Sequence, residues 1–290
     1  MIFNEVRSIF VYHKKLLYLC KRRITIPRFS IGIDIGSVGV KAVLFDGGIA
    51  DAVLLPTGWS PKESALQALE KMFCGTGDVS RSSVPVVATG YGRKSVSSAN
   101  KRVTEITCHA RGVRWLAPLA RTVLDIGGQD TKAIALLPGG RVGKFEMNDR
   151  CAAGTGKFLE YTAQIFQIPV QEFGLYALFG DAPPIINSMC TVFAETEATS
   201  LMAQGVRPEN IALGLHLSIV RRTVNMLQRV GLNLPLVFVG GVAHNPCMRR
   251  LLAEQTGTVE GETLLVPEEP DMTGALGAAL WGEKLALESA

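Results

Sequence analysis

Two stretches of this 290-residue chain carry the same chemical groups in the same order: Ile33-Asp-Ile-Gly-Ser-Val-Gly-Val-Lys-Ala-Val43 and Leu124-Asp-Ile-Gly-Gly-Gln-Asp-Thr-Lys-Ala-Ile134. Asp34, Gly36, Lys41 and Ala42 of the first match Asp125, Gly127, Lys132 and Ala133 of the second, 91 positions later. An aspartate at a strand end can hold Mg2+, usually through waters, and a glycine turn leaves backbone N–H groups free to approach phosphate oxygens. A single D-x-G turn is common in any β-rich protein, but two copies imply two tips that together clamp a polyphosphate. The candidate binding residues are therefore Asp34, Gly36, Ser37, Lys41, Asp125, Gly127, Gly128 and Gln129.

A third element is Val237-Phe-Val-Gly-Gly-Val-Ala-His-Asn-Pro246, an apolar strand running into a glycine pair. Asn245 reads as the N-cap of a following helix and Pro246 as its first residue. The backbone of Gly240 and Gly241 can lie flat against a base or ribose. Two other phosphate-like motifs fail. Cys151-Ala-Ala-Gly-Thr-Gly-Lys157 lacks the first Gly and the Ser or Thr that a Walker loop needs, and Gly90-Tyr-Gly-Arg-Lys-Ser95 lacks the third glycine of a dinucleotide fingerprint.

The elements that must position these groups alternate. Each D-I-G stretch reads as strand, tight turn, strand, hence a β-hairpin. Strand patterns at Val84 to Ala88 and Leu236 to Val239 alternate with helical patterns at Pro61 to Phe73 and Asn210 to Val230, which argues α/β layers and two related halves. In the long helix Val220, Val224 and Leu227 share a face with His216, which reads as a core histidine.

Composition narrows the class. With 47% apolar residues the chain can bury a large core. Its net charge of +4 is confined to residues 1–29, which carry seven basic side chains against Glu5, or +6, so the remainder sums to −2. Such a body lacks the basic face that nucleic-acid binding requires. The basic extension reads as a start placed upstream of the fold, with a membrane-surface helix as the alternative; it has no run of the ~18 apolar residues that a span needs. Six dispersed cysteines (Cys20, Cys74, Cys108, Cys151, Cys190, Cys247) without an export signal point to reduced, cytoplasmic thiols rather than a disulfide framework.

Two D-I-G hairpins followed by a G-G-x-A-x-N turn resemble the acetate and sugar kinase/Hsp70/actin superfamily of ATPases. Four phrases are more specific: ATGYGR (88–93), ITCHARG (106–112), DIGGQDTK (125–132) and NDRCAAGTGKFLE (148–160), followed by SMCTVFAETE (188–197). Over about residues 30–285 they resemble the BadF/BadG/BcrA/BcrD ATPase family, the activators of 2-hydroxyacyl-CoA dehydratases.

The resemblance implies an α/β fold of two RNase H-like halves of the actin/Hsp70/sugar kinase type, with a nucleotide cleft between them. The first half would span residues 30–120 and the second 121–290, the C-terminal helix returning to the first. It implies ATP or ADP with Mg2+ between Asp34 and Asp125, and Gln129 or Asp130 orienting the attacking water. It also implies a homodimer that shares one 4Fe-4S cluster through Cys151 and Cys190 of each protomer, four thiolates in all. Both cysteines precede helical patterns and are expected near helix N-termini, where about half a positive charge stabilises a thiolate, with Gly154 and Gly156 leaving room for the cluster. Cys20, Cys74, Cys108 and Cys247 read as structural.

The expected activity is ATP-gated one-electron donation to a 2-hydroxyacyl-CoA dehydratase or related CoA-thioester reductase, with a ferredoxin or flavodoxin upstream. Rival readings are an ATPase component of a benzoyl-CoA-type reductase, a small-molecule kinase, and a scaffold that has lost hydrolysis. The first tip departs from the family's threonine-rich turn, leaving Ser37 as its hydroxyl.

Overall fold

The computed structural model describes residues 29–187 and 190–288. The basic extension up to residue 28, Cys20 with it, and the first two residues of SMCTVFAETE lie outside the described residues. No helix among the described residues is long and apolar enough to cross a membrane.

The first sheet is built from β1 (Ser30–Ile35), β2 (Gly39–Phe45), β3 (Ile49–Pro56), β4 (Val86–Thr89) and β5 (Lys101–Arg102), in the order β3-β2-β1-β4-β5. The second holds β6 (Thr122–Ile126), β7 (Thr131–Leu136), β8 (Val142–Asn148), β9 (Leu236–Val239) and β10 (Leu264–Leu265), in the order β10-β9-β6-β7-β8. In both, the first three strands form an antiparallel meander and the last two join in parallel. The two sheets thus have one topology, as the repeat indicated, and it is the RNase H-like arrangement that the resemblance implies.

The repeat is exact at the level of register. Asp34 pairs with Lys41 across β1 and β2, and Asp125 with Lys132 across β6 and β7. Each tip is closed by the same bond, Gly36 N–H to Gly39 O at 3.0 Å and Gly127 N–H to Asp130 O at 2.9 Å. β1 and β6 are buried along their whole length, which explains their near-continuous apolar sequence.

Helices cover both faces of both sheets. On the outer face of the first sheet, α1 (Pro61–Cys74) buries Ala65, Ala68, Leu69 and Met72 against Ile31, Ile33 and Leu44. Its start is set by Ser60, whose hydroxyl accepts from the Glu63 N–H at 3.3 Å. α2 (Glu105–Leu116) packs Ala110 and Val113 on the second sheet, against Val123, Ile134 and Val237.

The outer side of the second sheet is covered by α3 (Gly156–Ile165), α4 (Val170–Ala177), α5 (Thr191–Ala203), α6 (Pro208–Val230) and α7 (Pro246–Thr256) around one large core. The C-terminal α8 (Thr273–Glu288) lies on the first sheet, where Ala275, Leu276 and Ala279 meet Val43 and Phe45.

The order of layers is therefore α1, first sheet, α8 with α2, second sheet, and the remaining helices. The inner pair fits because glycine stands where backbones meet. A Cβ on Gly277 would run into Cys108 O, and one on Gly32 into Ala275 O; such overpacking costs about 1–3 kcal/mol even where the core can adjust.

Strand boundaries shift slightly from expectation: the pattern at Val84 to Ala88 becomes β4 at Val86–Thr89, because Pro85 delivers its carbonyl to Ile31 N–H just before the ladder begins. His216 is a core residue, as its helical face indicated. It is 0% exposed and packs 4.8 Å from the Phe173 ring.

Candidate functional site

The two hairpin tips meet. A Cβ on Gly128 would strike the Val38 side chain and stand 3.7 Å from Ser37 Oγ, so Gly36 to Gly39 and Gly127 to Asp130 face one another at the ends of their strands. Asp34 and Asp125, both buried, lie at the floor beneath them.

Asp125 sits in a strong positive field. Lys132 Nζ is 3.0 Å from its Oδ2, and His109 Nε2 is 3.4 Å from the same oxygen. Burial pushes the Asp125 carboxyl up, but Lys132, His109 and Lys41 outweigh it and hold the pKa down at about 2. Lys132, only 2% exposed, also reaches Asp130 at 2.8 Å and Glu105 at 3.5 Å. Its own pKa rises because three carboxylates outweigh the cost of burial. In the first hairpin Lys41 stands 4.0 Å from Asp34, a looser version of the same pair.

Each aspartate is backed by a glycine in left-handed conformation. Gly90 and Gly240 both have φ +85°, and a Cβ on either would collide with Asp34 Oδ1 or Asp125 Oδ1. Gly90 follows β4 as Gly240 follows β9, so the G-Y-G phrase is the first half's counterpart of the Gly240-Gly241 turn rather than a dinucleotide motif.

Oxygen donors of this kind suit Mg2+ held partly through water. Gln129 is exposed at the second tip, whereas Asp130 is drawn onto Lys132. Gly241 opens a short turn beside Asp271, which bonds His244 Nε2 at 2.6 Å.

Asn245 caps α7 as expected, its Oδ1 accepting from Met248 N–H at 3.0 Å. Its Nδ2 lies 3.0 Å from His216 Nε2, while His216 Nδ1 is 2.8 Å from Ala212 O. The Asn245 side chain is thus turned inward.

The second cluster of interest lies next to the second tip. Gly156 N–H donates to Gly127 O at 2.9 Å, and Lys157 N–H to Gly128 O at 2.8 Å. Thr131 Oγ1 donates to Gly154 O at 2.6 Å. These three bonds fasten Gly154 of the loop and the first two residues of α3 onto the hairpin. Asn148 Nδ2 adds bonds to Cys151 O and Ala153 O, at 3.1 and 2.9 Å.

Cys190 is the N-cap of α5, as the sequence suggested. Cys151 is not at a helix end: α3 starts at Gly156 with Thr155 as its cap, and the N–H groups of its first two residues are taken by the hairpin carbonyls. Gly154 faces the Arg222 side chain and Gly156 the Gly127-Gly128 backbone.

Both thiols are exposed, in contrast to Cys108 and Cys247, which are buried and have pKa values pushed up to about 12 by desolvation. Exposed soft donors fit an iron–sulfur cluster, but two per chain need a second chain to complete four. Among the described residues, no group of three or more His, Cys, Asp or Glu is placed to hold a metal ion. Beside Cys190, Tyr161, Ile165, Val192 and Glu195 line a groove of about 540 Å³, and Val192 and Phe193 are 67% and 66% exposed.

Sequence reasoning missed Gly90, Glu105, His109 and Thr273 as members of the site. The signal for the two α2 residues was their place in and beside the ITCHARG phrase, and for Thr273 its position within Pro270-Asp-Met-Thr-Gly274.

Comparison with known proteins agrees with this geometry. The model of the BadF/BadG/BcrA/BcrD ATPase family matches residues 31–282. The activator of lactoyl-CoA dehydratase of Anaerotignum propionicum is 42% identical over 263 residues, 89% of this chain and 98% of that protein. The solved activator of the 2-hydroxyisocaproyl-CoA dehydratase from Clostridium difficile, with bound ADPNP, superposes with a TM-score of 0.81 at 39% identity, covering 90% of this chain and 96% of the other. One component of the benzoyl-CoA reductase of Thauera aromatica is 33% identical over 270 residues, 88% of this chain and 94% of that protein. On these matches, and with both hairpins and both cysteine phrases in place, the chain belongs to the BadF/BadG/BcrA/BcrD ATPase family.

Proposed function

We propose that this protein is the ATP-dependent activator of a 2-hydroxyacyl-CoA dehydratase, a homodimer that takes one electron from a ferredoxin or flavodoxin and passes it to the dehydratase. The observation that carries the reading is the direct bonding of the second hairpin to the segment that follows Cys151, Thr131 to Gly154 of the loop and Gly127 and Gly128 to the first two residues of α3. A tip that responds to the γ-phosphate moves that loop with it.

Asp34 and Asp125 would hold Mg2+ through its waters, and the backbone N–H groups of Ser37 and Gly128 would receive the phosphates, those of Gly36 and Gly127 being spent on closing the turns. Lys132 keeps Asp125 ionised, and Lys41 stands 4.0 Å from Asp34. Gly240 and Gly241 accept the adenosine, with Asn245 holding that turn through its cap. Gln129 orients the attacking water, because Asp130 is committed to Lys132. Water attacks the γ-phosphorus, the bond to the β,γ-bridging oxygen breaks, and ADP and phosphate leave.

Cys151 and Cys190 of each protomer bind one shared 4Fe-4S cluster, which supplies a one-electron carrier when bound. Coupling requires ATP and ADP to favour different shapes, since a ligand with equal affinity for both shifts nothing. Closure about the inner pair α2 and α8 changes the setting of Cys151, and with it the readiness of the dimer to give up its electron. We place the division between halves near residue 120, with α8 rejoining the first.

A role as the ATPase component of a benzoyl-CoA-type reductase is the second reading, supported by the 33% identity to the Thauera aromatica protein. Purification from the native host separates the two: a free homodimer that activates a dehydratase supports the proposal, and co-purification with sister ATPase chains refutes it.

A further inference from the structure

Thr273 Oγ1 lies 2.9 Å from His109 Nδ1, although 164 residues separate the two. Thr273 opens α8, which rests on the first sheet, and His109 belongs to α2, which rests on the second. The other nitrogen of His109 faces Asp125 Oδ2 at 3.4 Å, and all three residues are buried. Thr273 Oγ1 and His109 Nδ1 share one hydrogen bond whose direction follows the ring tautomer, the Thr273 hydroxyl also lies 3.4 Å from Pro270 O, and Nε2 is the ring nitrogen turned to the Asp125 carboxylate. A polar chain therefore runs from the helix of one half to the aspartate of the other.

The first turn of α8 touches the other aspartate as well. A Cβ on Gly274 would stand 2.8 Å from Asp34 Oδ2 and 3.3 Å from His109 Cε1. Lys132 and His109 both address Oδ2 of Asp125, while Oδ1 points to Gly240. Lys132 comes from the same hairpin as Asp125 and moves with it. His109, through Thr273, links Asp125 to α8.

We propose that Thr273 and His109 are positioning residues that tie Asp125 to the first turn of α8, and so fix Asp125 relative to Asp34 in the magnesium–nucleotide site. The inference rests on the reading of the two hairpins as an ATP site. The tie would hold the Asp125 carboxylate in place for Mg2+; it takes no part in binding the nucleotide itself.

The test is calorimetric titration of ADP into the cluster-free full chain at a series of Mg2+ concentrations, with melting temperatures recorded in parallel. The variants are Thr273→Val, Thr273→Ser, His109→Leu, His109→Gln and the pair Thr273→Val with His109→Leu. Thr273→Val and His109→Leu are each expected to raise the Mg2+ concentration for half-maximal tightening about tenfold, as loss of one positioning hydrogen bond would.

Thr273→Ser and His109→Gln, which keep a donor and an acceptor, are expected to stay near the wild type. The double variant should be no worse than His109→Leu alone, because the two residues act in series. ADP affinity without Mg2+ should not change.

Folded Thr273→Val and His109→Leu proteins with the wild-type Mg2+ dependence would overturn the proposal, as would additive effects in the pair. A wild-type protein that binds ADP without any response to Mg2+ would also overturn it. One that binds no ADP at all would overturn the hairpin reading together with it.

Discussion

Gly156 donates its backbone N–H to the carbonyl of Gly127 at 2.9 Å, so the residue that starts α3 is bonded to the glycine tip of the second hairpin. Cys151 lies in the loop immediately before that helix, anchored again where Thr131 Oγ1 meets Gly154 O at 2.6 Å. The second hairpin tip and the cysteine loop are thus a single mechanical unit.

Removing one of these anchors should uncouple the loop from the nucleotide. Thr131→Val leaves the buried Gly154 carbonyl without its hydroxyl donor, at a cost of about 1–3 kcal/mol. ATP hydrolysis is expected to persist, while the change in the Cys151 alkylation rate between ADP-bound and ATP-analogue-bound protein disappears. If the variant shows the wild-type difference in alkylation, this anchor does not transmit the signal.

Lys132 is the charge of the site whose removal should cost most. Lys132→Met would leave Asp125, Asp130 and Glu105 facing one another without the buried cation that now neutralises them. Breaking a buried ion pair from one side costs about 3–5 kcal/mol. Urea denaturation of the variant should show a loss of that size, whereas Lys41→Met, at the looser 4.0 Å pair, should lose clearly less.

Gly90→Ala and Gly240→Ala should have matching consequences, since both glycines have φ +85° and both abut an aspartate oxygen. Left-handed strain alone costs on the order of 1–3 kcal/mol, and the added methyl displaces the carboxylate besides. Both variants are expected to lose Mg2+-dependent nucleotide binding, measured by titration calorimetry. Normal binding by Gly90→Ala would mean that the first half's glycine lacks the role of its counterpart.

His216 gives a pH dependence with a definite sign. Burial pushes its pKa down from 6.5 to about 4, the bond to Ala212 O opposing only in part. The unfolded chain therefore binds a proton that the folded one refuses between pH 6.5 and about 4. Stability from this group is complete above pH 6.5 and falls as pH drops through that window, by about 1.4 kcal/mol per unit. Replacing His216 by Gln should flatten this part of the stability curve. An unchanged slope in the variant would assign the acid sensitivity elsewhere.

The parts of the site that were legible in the sequence are local ones. The D-I-G hairpins repeat within eleven residues each, and the Asn245 cap is written in the Asn-Pro step that begins α7. Gly90 was not legible, because its phrase resembles a fragment of another motif until β4 and β9 are seen in the same place in two sheets of one topology. His109 and Thr273 meet across 164 residues, a contact that no spacing rule can reach. Cys151 was placed near a helix end because NDRCAAGTGKFLE runs straight into an apolar periodic pattern. The chain instead spends Ala152 to Thr155 on the turn that binds the hairpin.

The central claim, that nucleotide at the hairpins governs a cluster held by Cys151 and Cys190, is tested most directly on protein purified without oxygen. Iron, sulfide and dimer mass would be determined, and the spectrum of the reduced protein recorded with ADP and then with ATP, alongside Cys151→Ala and Cys190→Ala. The account predicts about four irons per dimer, as one cubane cluster requires, lost in either variant and spectrally different between the two nucleotides. An iron-free wild-type dimer, or a cluster whose spectrum ignores ATP, would contradict it.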